Sequence, residues 1–168
     1  MLKTRVITAL ILLALVLPSL FFLPQAYWAL LVALFIGVAV WEWGGLLGLG
    51  QSGRLALGVA MAGLCSAVSL TAPAAIGVGS GAGLAASWVI AAYVVAAAFW
   101  CVVVPLWLRS QWRLPRGLSG LIVGLVVLFP AWLALVQVRV AGPGGLLAIL
   151  AIVWMADVAA YFSGKRFG

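Results

Sequence analysis

Six long apolar runs make up most of this chain and decide its fold class. Each is close to the length of about 20 residues that a helix needs to cross a bilayer, and none shows the polar face of a soluble amphipathic helix. The chain of 168 residues is 68% hydrophobic and 7% charged. The sequence therefore predicts an all-α, polytopic membrane protein whose residues 1–168 form a single transmembrane domain of about six helices. The predicted spans are Val6–Leu23, Ala26–Trp43, Leu55–Thr71, Leu84–Leu108, Leu118–Val138 and Gly144–Phe162.

The connectors between these runs are short. Pro24 and Gln25 separate the first two runs, and the stretch "GGLLGLGQSGR" is predicted to be a glycine-rich turn closed by Arg54. The stretch "APAAIGVGSGAG" is predicted to be a flexible, uncharged loop, "RSQWRLPRG" a basic loop and "AGPGG" a tight turn. Lys3 and Arg5 before the first run resemble the start of a signal peptide. We expect a retained helix instead, because a second span follows after two residues.

The basic residues are distributed so that they fix an orientation. If the N-terminus is cytoplasmic, Arg139 is the one residue among the nine lysines and arginines that falls outside. The positive-inside rule favours this arrangement, which places both termini in the cytoplasm. The net charge of +7 is therefore a topology signal first. We expect anionic membrane lipids among the partners and no nucleic acid. The predicted cytoplasmic residues are Lys3, Arg5, Arg54, Arg109, Arg113, Arg116, Lys165 and Arg166.

Several chemistries are excluded by residues that the chain lacks. Histidine is absent, which removes imidazole bases and the commonest metal ligand. Cys65 and Cys101 have neither the spacing of a zinc site nor that of a disulfide framework, and we expect both to be small buried side chains.

The chain has two acidic residues, Glu42 and Asp157. Glu42 lies at the predicted cytoplasmic end of the second span, where it either reaches water or an arginine, or orients a basic residue of a site. Asp157 lies about 20 Å along the sixth span at 1.5 Å per residue, within the bilayer. A charge there costs at least about 2.5 kcal/mol unless it is paired or hydrated, so it indicates either a function or a structural ion pair with a basic residue such as Arg139 or Lys165.

The neighbours of Asp157 favour a function. Helical spacing places Trp154, Ala160, Tyr161 and Gly164 on its face of the helix, and Lys165 and Arg166 follow at the water boundary. A carboxylate can bind a divalent cation through oxygen ligands, and basic side chains can bind phosphate oxygens. The spacing thus predicts a cavity facing the cytoplasm for a phosphorylated, membrane-embedded substrate.

Five stretches resemble the N-terminal portion of the bacterial phosphatidate cytidylyltransferase (CDP-diacylglycerol synthase) family. The last of them is the most specific, since it resembles the family pattern W-x-x-D-x-x-A-Y-x-x-G-[KR]-x-F-G. The middle of the chain, 50–120, is similar only in hydropathy. The stretches are "MLKTRVITAL" at 1–10, "FFLP" at 21–24, "WEWGGLLGL" at 41–49, "VVLFPAWLAL" at 126–135 and "WMADVAAYFSGKRFG" at 154–168.

The resemblance implies a reaction in which CTP and phosphatidic acid give CDP-diacylglycerol and pyrophosphate, with Mg²⁺ required, in a bacterial inner membrane. It makes Asp157 the candidate catalytic and metal-binding residue. Lys165 and Arg166 become candidates for binding substrate phosphates, and Tyr161 for lining the substrate site.

This sequence departs from the family in lacking its S-P-x-K-T element and its H-G-G-x-x-D-R-x-D run, which supply most of the charged groups of the family's chemistry. We therefore expect a truncated chain that is inactive by itself. The alternative is a small transporter or channel subunit in which Asp157 relays ions, although no internal repeat supports it. Gly120 and Gly124 form a GxxxG pair that allows close helix packing. Together with the missing helices, which would leave packing faces of the bundle unfilled, this pair makes a homodimer plausible.

Overall fold

The computed structural model describes residues 2–79, 86–112 and 117–168, and it describes residues 2–6 by their backbone alone. The described residues form helices and no strands, which confirms the all-α fold. The predicted Arg113 and Arg116 lie outside the described residues. The helices are α1 (Leu2–Phe22), α2 (Gln25–Leu46), α3 (Gln51–Thr71), α4 (Ser87–Ala98), α5 (Val104–Ser110), α6 (Leu118–Ala141) and α7 (Pro143–Phe167).

Five helical segments among the described residues are long and apolar enough to cross a membrane, which confirms a polytopic membrane protein. Four of them are α2, α3, α6 and α7, and the fifth runs through α4 and α5 as Ser87–Ser110. The described apolar part of α1, Ile7–Phe22, is shorter than these five.

The turn between α2 and α3 is shorter than the sequence suggests. We predicted that the second span ends at Trp43 and that Arg54 closes a long turn, but α2 continues to Leu46 and α3 begins at Gln51. The helix continues because Gly44 and Gly45 pack closely against Arg54, and their lack of side chains allows that approach. Arg54 is therefore in the first turn of α3.

The stretch after α3 is also more ordered than predicted. Pro73–Ile76 form a 3₁₀ helix in which Ala75 and Ile76 are buried, and Gly77 ends it with a φ of 80°. The loop prediction for "APAAIGVGSGAG" was therefore wrong for its first part, while residues 80–85 lie outside the described part of the chain.

Pro105 explains a local change of helix type between α4 and α5. A proline inside a helix has no N–H to donate and crowds the carbonyl of the residue four positions earlier, here Cys101. The chain between α4 and α5, Phe99–Val103, is a π-helix that lies within six residues before this proline. Cys101 is exposed there, so its predicted burial was wrong, whereas Cys65 on α3 is buried as expected.

The chain divides into two compact units, a central unit (Leu23–Gln137) and a terminal unit (Met1–Phe22 with Val138–Gly168). In the central unit α2 is the core helix, and its buried residues include Val32, Ile36 and Val40. It packs closely against α3 at a pair of glycines: a Cβ on Gly58 would lie 2.6 Å from the carbonyl oxygen of Gly37. Small residues at this crossing let the two backbones approach, as is usual between membrane helices.

Tryptophan side chains join α2 to α6 through backbone carbonyls. Trp28 Nε1 donates to Leu135 O at 3.3 Å, Trp132 Nε1 donates to Ala29 O at 3.1 Å, and Trp43 Nε1 donates to Gly120 O at 3.0 Å. Each bond satisfies an indole N–H that would be costly to leave unpaired in an apolar environment.

Two glutamines stabilise the opposite end of the central unit from Trp43. Gln25 Nε2 donates to the carbonyl oxygens of Ile76 and Val136, both at 2.8 Å. Gln137 Nε2 donates to Ala75 O at 2.7 Å, while its Oε1 accepts a hydrogen bond of 3.0 Å from the hydroxyl of Tyr93. The two amides therefore connect the 3₁₀ helix to α2, α4 and α6.

In the terminal unit Arg139 satisfies a carbonyl that a proline leaves without its usual partner. In α1 the carbonyl of Leu20 would accept a hydrogen bond from the residue four positions later, but that residue is Pro24, which has no N–H. Arg139 Nε donates to Leu20 O at 2.8 Å instead. Arg139, the one basic residue that the predicted topology places outside the cytoplasm, therefore has a structural role.

Candidate functional site

The helix α7 carries every residue that we predicted for the catalytic site. It starts at Pro143, directly after Gly142, whose φ of 142° ends α6. Pro143 suits the first helical position because it needs no hydrogen-bond acceptor there. The helix then runs without interruption to Phe167, five residues beyond the predicted span. Asp157 is 14 residues after Pro143, about 21 Å along the axis.

The second half of α7 is not covered by the described part of the chain. Every residue from Ile152 to Gly168 is exposed, including Asp157. Trp154 is 38% exposed and Tyr161 51%. The carboxylate and its neighbours are therefore available to a ligand or to another segment.

The continuous helix assigns different directions to the two basic residues near its end. Tyr161 and Lys165 follow Asp157 by four and eight positions, so the three lie along one side of α7. Arg166 follows Asp157 by nine positions, which at 3.6 residues per turn places it on the opposite side. The geometry brings Asp157, Tyr161 and Lys165 together and separates Arg166 from them.

Two aromatic contacts join neighbouring residues at this end of α7. The rings of Tyr161 and Phe162 meet edge to face with centroids 5.5 Å apart. The guanidinium of Arg166 lies 5.5 Å from the ring centroid of Phe167, its neighbour in the chain. Arg166 thus contacts an aromatic ring of its own helix.

The described residues do not form a complete metal site by themselves. Within 2–79, 86–112 and 117–168 there is no cluster of three or more His, Cys, Asp or Glu side chains that could bind a metal ion. Asp157 offers one carboxylate, whereas protein sites for Mg²⁺ combine one or two carboxylates with substrate phosphates and water. The predicted role of Asp157 as a metal ligand therefore stays a prediction.

A second charged group lies at the junction of α2 and α3, in the central unit. Arg54 Nε donates to Trp41 O at 3.2 Å, and its guanidinium lies 4.1 Å from the centroid of the Trp41 ring. Glu42, the other carboxylate of the chain, is exposed beside it in sequence. The sequence predicted Arg54 as the end of a turn and as a topology signal, not as part of a site. The nearby "WEWGG" was the available sign, since an indole and two glycines can receive a guanidinium.

An apolar cavity of about 310 Å³ lies between α2, α3 and α6. Its lining has almost no polar groups, so water would find few partners in it. Its lining includes Trp43 of α2, Leu118 of α6, and residues of α3 between Leu57 and Leu64. The indole of Trp43 packs against this part of α6: its Nε1 donates to Gly120 O, and a Cβ on Gly124 would lie 2.5 Å from the same Nε1. The predicted homodimer stays a prediction.

Comparisons with known proteins agree over the whole chain. The family model described as "Cytidylyltransferase family" matches residues 3–168. The phosphatidate cytidylyltransferase of Pseudomonas aeruginosa is 36% identical over 177 residues, a match that covers 100% of this chain and 59% of the relative. The chain thus spans little more than half the length of that curated relative. No solved structure matches the chain.

Proposed function

The chain belongs to the cytidylyltransferase family, and from that premise we propose that it forms the membrane-embedded N-terminal portion of a phosphatidate cytidylyltransferase. In the proposed reaction an oxygen of the phosphatidate phosphate attacks the α-phosphorus of CTP. The bond between the α- and β-phosphates breaks, and CDP-diacylglycerol and pyrophosphate are the products. We place this activity in the bacterial inner membrane with CTP and phosphatidic acid as substrates.

The observation that carries the proposal is the uncovered side of α7 with Asp157, Tyr161 and Lys165. An ionised carboxylate at bilayer depth is unfavourable by at least about 2.5 kcal/mol unless polar groups surround it. No described segment covers that side of α7, so a polar ligand or a further charged segment is needed there. A nucleotide phosphate, accompanied by its cation, supplies such groups.

The roles of the individual residues follow from their positions along the helix. Asp157 and Lys165 are eight residues apart, about 12 Å along the axis. A flexible lysine can shorten that distance and bind the far end of a polyphosphate, while Tyr161 lines the space between. Phosphoryl transfer depends mainly on such positioning and on neutralising charge. Arg166 is a weaker candidate for binding substrate phosphates, because it lies on the opposite side of α7.

Mg²⁺ belongs to this proposal as the cation that accompanies the nucleotide. When bound, such an ion neutralises phosphate charge and stabilises the leaving pyrophosphate. Asp157 would supply one oxygen ligand, and the described residues do not complete the set. For the same reason we propose that residues 1–168 alone do not turn over CTP, which an assay of the purified chain in detergent would test.

The test of Asp157 uses the uninterrupted reading frame that contains this chain. Membranes that carry the Asp157→Asn variant should form CDP-diacylglycerol from labelled CTP about a hundredfold more slowly than wild type, since a charge at the reacting phosphates is lost. The matched control is Glu42→Gln, which removes the other carboxylate and should leave the rate within about twofold of wild type. Equal rates for Asp157→Asn and wild type would refute the proposed role of Asp157. If membranes that carry the wild-type reading frame form no CDP-diacylglycerol from CTP, the proposed reaction is refuted.

A further inference from the structure

The guanidinium of Arg54 is held in a fixed orientation by α2. Its Nε donates to the carbonyl oxygen of Trp41 at 3.2 Å. The centre of the guanidinium lies 4.1 Å from the centroid of the Trp41 ring, within the range of a favourable cation–π contact. An arginine that is both stacked and hydrogen-bonded has lost most of its rotamer freedom before any ligand arrives.

Two glycines of α2 make room for this side chain. A Cβ on Gly45 would lie 3.1 Å from Cζ, 3.2 Å from Nε and 3.3 Å from Nη2 of Arg54. A Cβ on Gly44 would lie 3.3 Å from the Cα of Arg54. The guanidinium therefore occupies the space that a side chain at Gly45 would fill, beside the indole of Trp41 one turn earlier.

The charge of Arg54 is not neutralised in the described part of the chain. Its terminal Nη groups have no hydrogen-bond acceptor and no salt bridge there, and α3 has no acidic residue in its first turn. Glu42 is the single acidic residue of the central unit, and it forms no salt bridge with Arg54. A fixed guanidinium with free Nη donors can bind an oxyanion bidentately, the geometry that phosphate prefers.

We propose that Arg54 is a preorganised binding site for a phosphate group at the junction of α2 and α3. The phosphate belongs either to the phosphomonoester headgroup of a lipid or to a soluble phosphate compound, and both present the same oxygens to the guanidinium. Preorganisation by Trp41 and Gly45 lowers the entropy lost on binding. This proposal concerns binding alone, so it needs no turnover and does not rest on the role proposed for Asp157.

The test measures binding to the purified chain in detergent micelles. One arm titrates phosphatidic acid against phosphatidylcholine and counts bound lipids by native mass spectrometry. The other arm titrates inorganic phosphate and CTP and follows binding by calorimetry. The variants are Arg54→Gln, Arg54→Lys and Gly45→Ala, with Arg109→Gln as the matched control. Arg109 is an exposed arginine at the end of α5 that has no such cradle.

We expect Arg54→Gln to weaken phosphatidic acid or soluble phosphate binding about tenfold or more, the loss of a charge-assisted hydrogen bond. Arg54→Lys keeps the charge but not the fork, and Gly45→Ala keeps the arginine but displaces it, so both should also weaken binding, by about threefold or more. Arg109→Gln should change it less than about twofold. The arm in which the loss appears identifies the source of the phosphate.

Two results would overturn the proposal. One is an unchanged affinity for every probe in Arg54→Gln or in Gly45→Ala. The other is an equal loss in Arg54→Gln and Arg109→Gln, which would mean that the chain attracts phosphate by overall charge. Circular dichroism and size-exclusion profiles that match wild type show that each variant is folded, and Gly45→Ala tests position without any change of charge.

Discussion

A single methyl group at Gly124 should destabilise the central unit. A Cβ at this position would lie 2.5 Å from Nε1 and 2.7 Å from Cδ1 of the Trp43 ring, so the indole must move. Moving it breaks the bond of 3.0 Å from Nε1 to Gly120 O, which costs about 1 kcal/mol, and overpacking adds about 1–3 kcal/mol. The cost of the added methyl group is therefore about 2–4 kcal/mol before the better helix propensity of alanine is counted.

The control for this prediction is Gly63→Ala. Gly63 lies within α3, and no atom lies within 4 Å of the Cβ that it would receive. Both substitutions gain the same helix propensity of about 1 kcal/mol, so their difference isolates the clash with Trp43. We expect the free energy of unfolding, measured by denaturant titration in micelles with far-UV circular dichroism, to be about 2–4 kcal/mol lower for Gly124→Ala than for Gly63→Ala.

A double-mutant cycle with Trp43→Ala tests the cause. Without the indole, Gly124→Ala should no longer destabilise the chain, so the coupling energy between the two positions should be about 2–4 kcal/mol. A coupling energy below about 0.5 kcal/mol, or equal stabilities for Gly124→Ala and Gly63→Ala, would refute the argument that the ring of Trp43 occupies this glycine face.

Two further predictions concern Arg139 and the orientation of the chain. Arg139→Gln should lower the free energy of unfolding by about 1–3 kcal/mol, because Leu20 O loses its replacement donor, whereas Arg109→Gln should lower it by less than about 0.5 kcal/mol in the same denaturant titration. The second prediction uses the variants Ser52→Cys, Ser110→Cys and Gly144→Cys in intact cells treated with a membrane-impermeant maleimide. If the N-terminus is cytoplasmic, the first two cysteines should be protected from the reagent and the third should be labelled. The reverse pattern would contradict a cytoplasmic N-terminus.

The sequence was sufficient for the fold class because membrane helices are specified by length and hydropathy. The predicted spans differ from the helices by a few residues, and the differences have local causes. Gly44 and Gly45 looked like a turn, since glycine often ends a helix. They lie inside α2 because Arg54 packs on them, a contact between two helices that hydropathy does not encode. The 3₁₀ helix at Pro73–Ile76 has a similar cause, because Gln25 and Gln137 bind its carbonyls from other helices.

The candidate site shows the same division between local and long-range information. Helical periodicity was enough to place Asp157 and Tyr161 on one side of α7. The separation of Lys165 from Arg166 required the additional knowledge that the helix continues to Phe167. The fixed orientation of Arg54 depends on Trp41 and Gly45 in another helix, and a charge pattern cannot reveal it.

Burial differs between α2 and α7, and the difference bears on the role proposed for Asp157. In α2 the side chains at Val32, Ile36 and Val40 are buried. In α7 the last buried residue is Leu146, and the uncovered half that follows carries the carboxylate. Lipid suits the apolar side chains there, whereas an ionised carboxylate at bilayer depth is unfavourable unless polar or cationic groups surround it. The exposed half of α7 is therefore the place where a phosphorylated substrate and its cation would most lower the cost of the carboxylate.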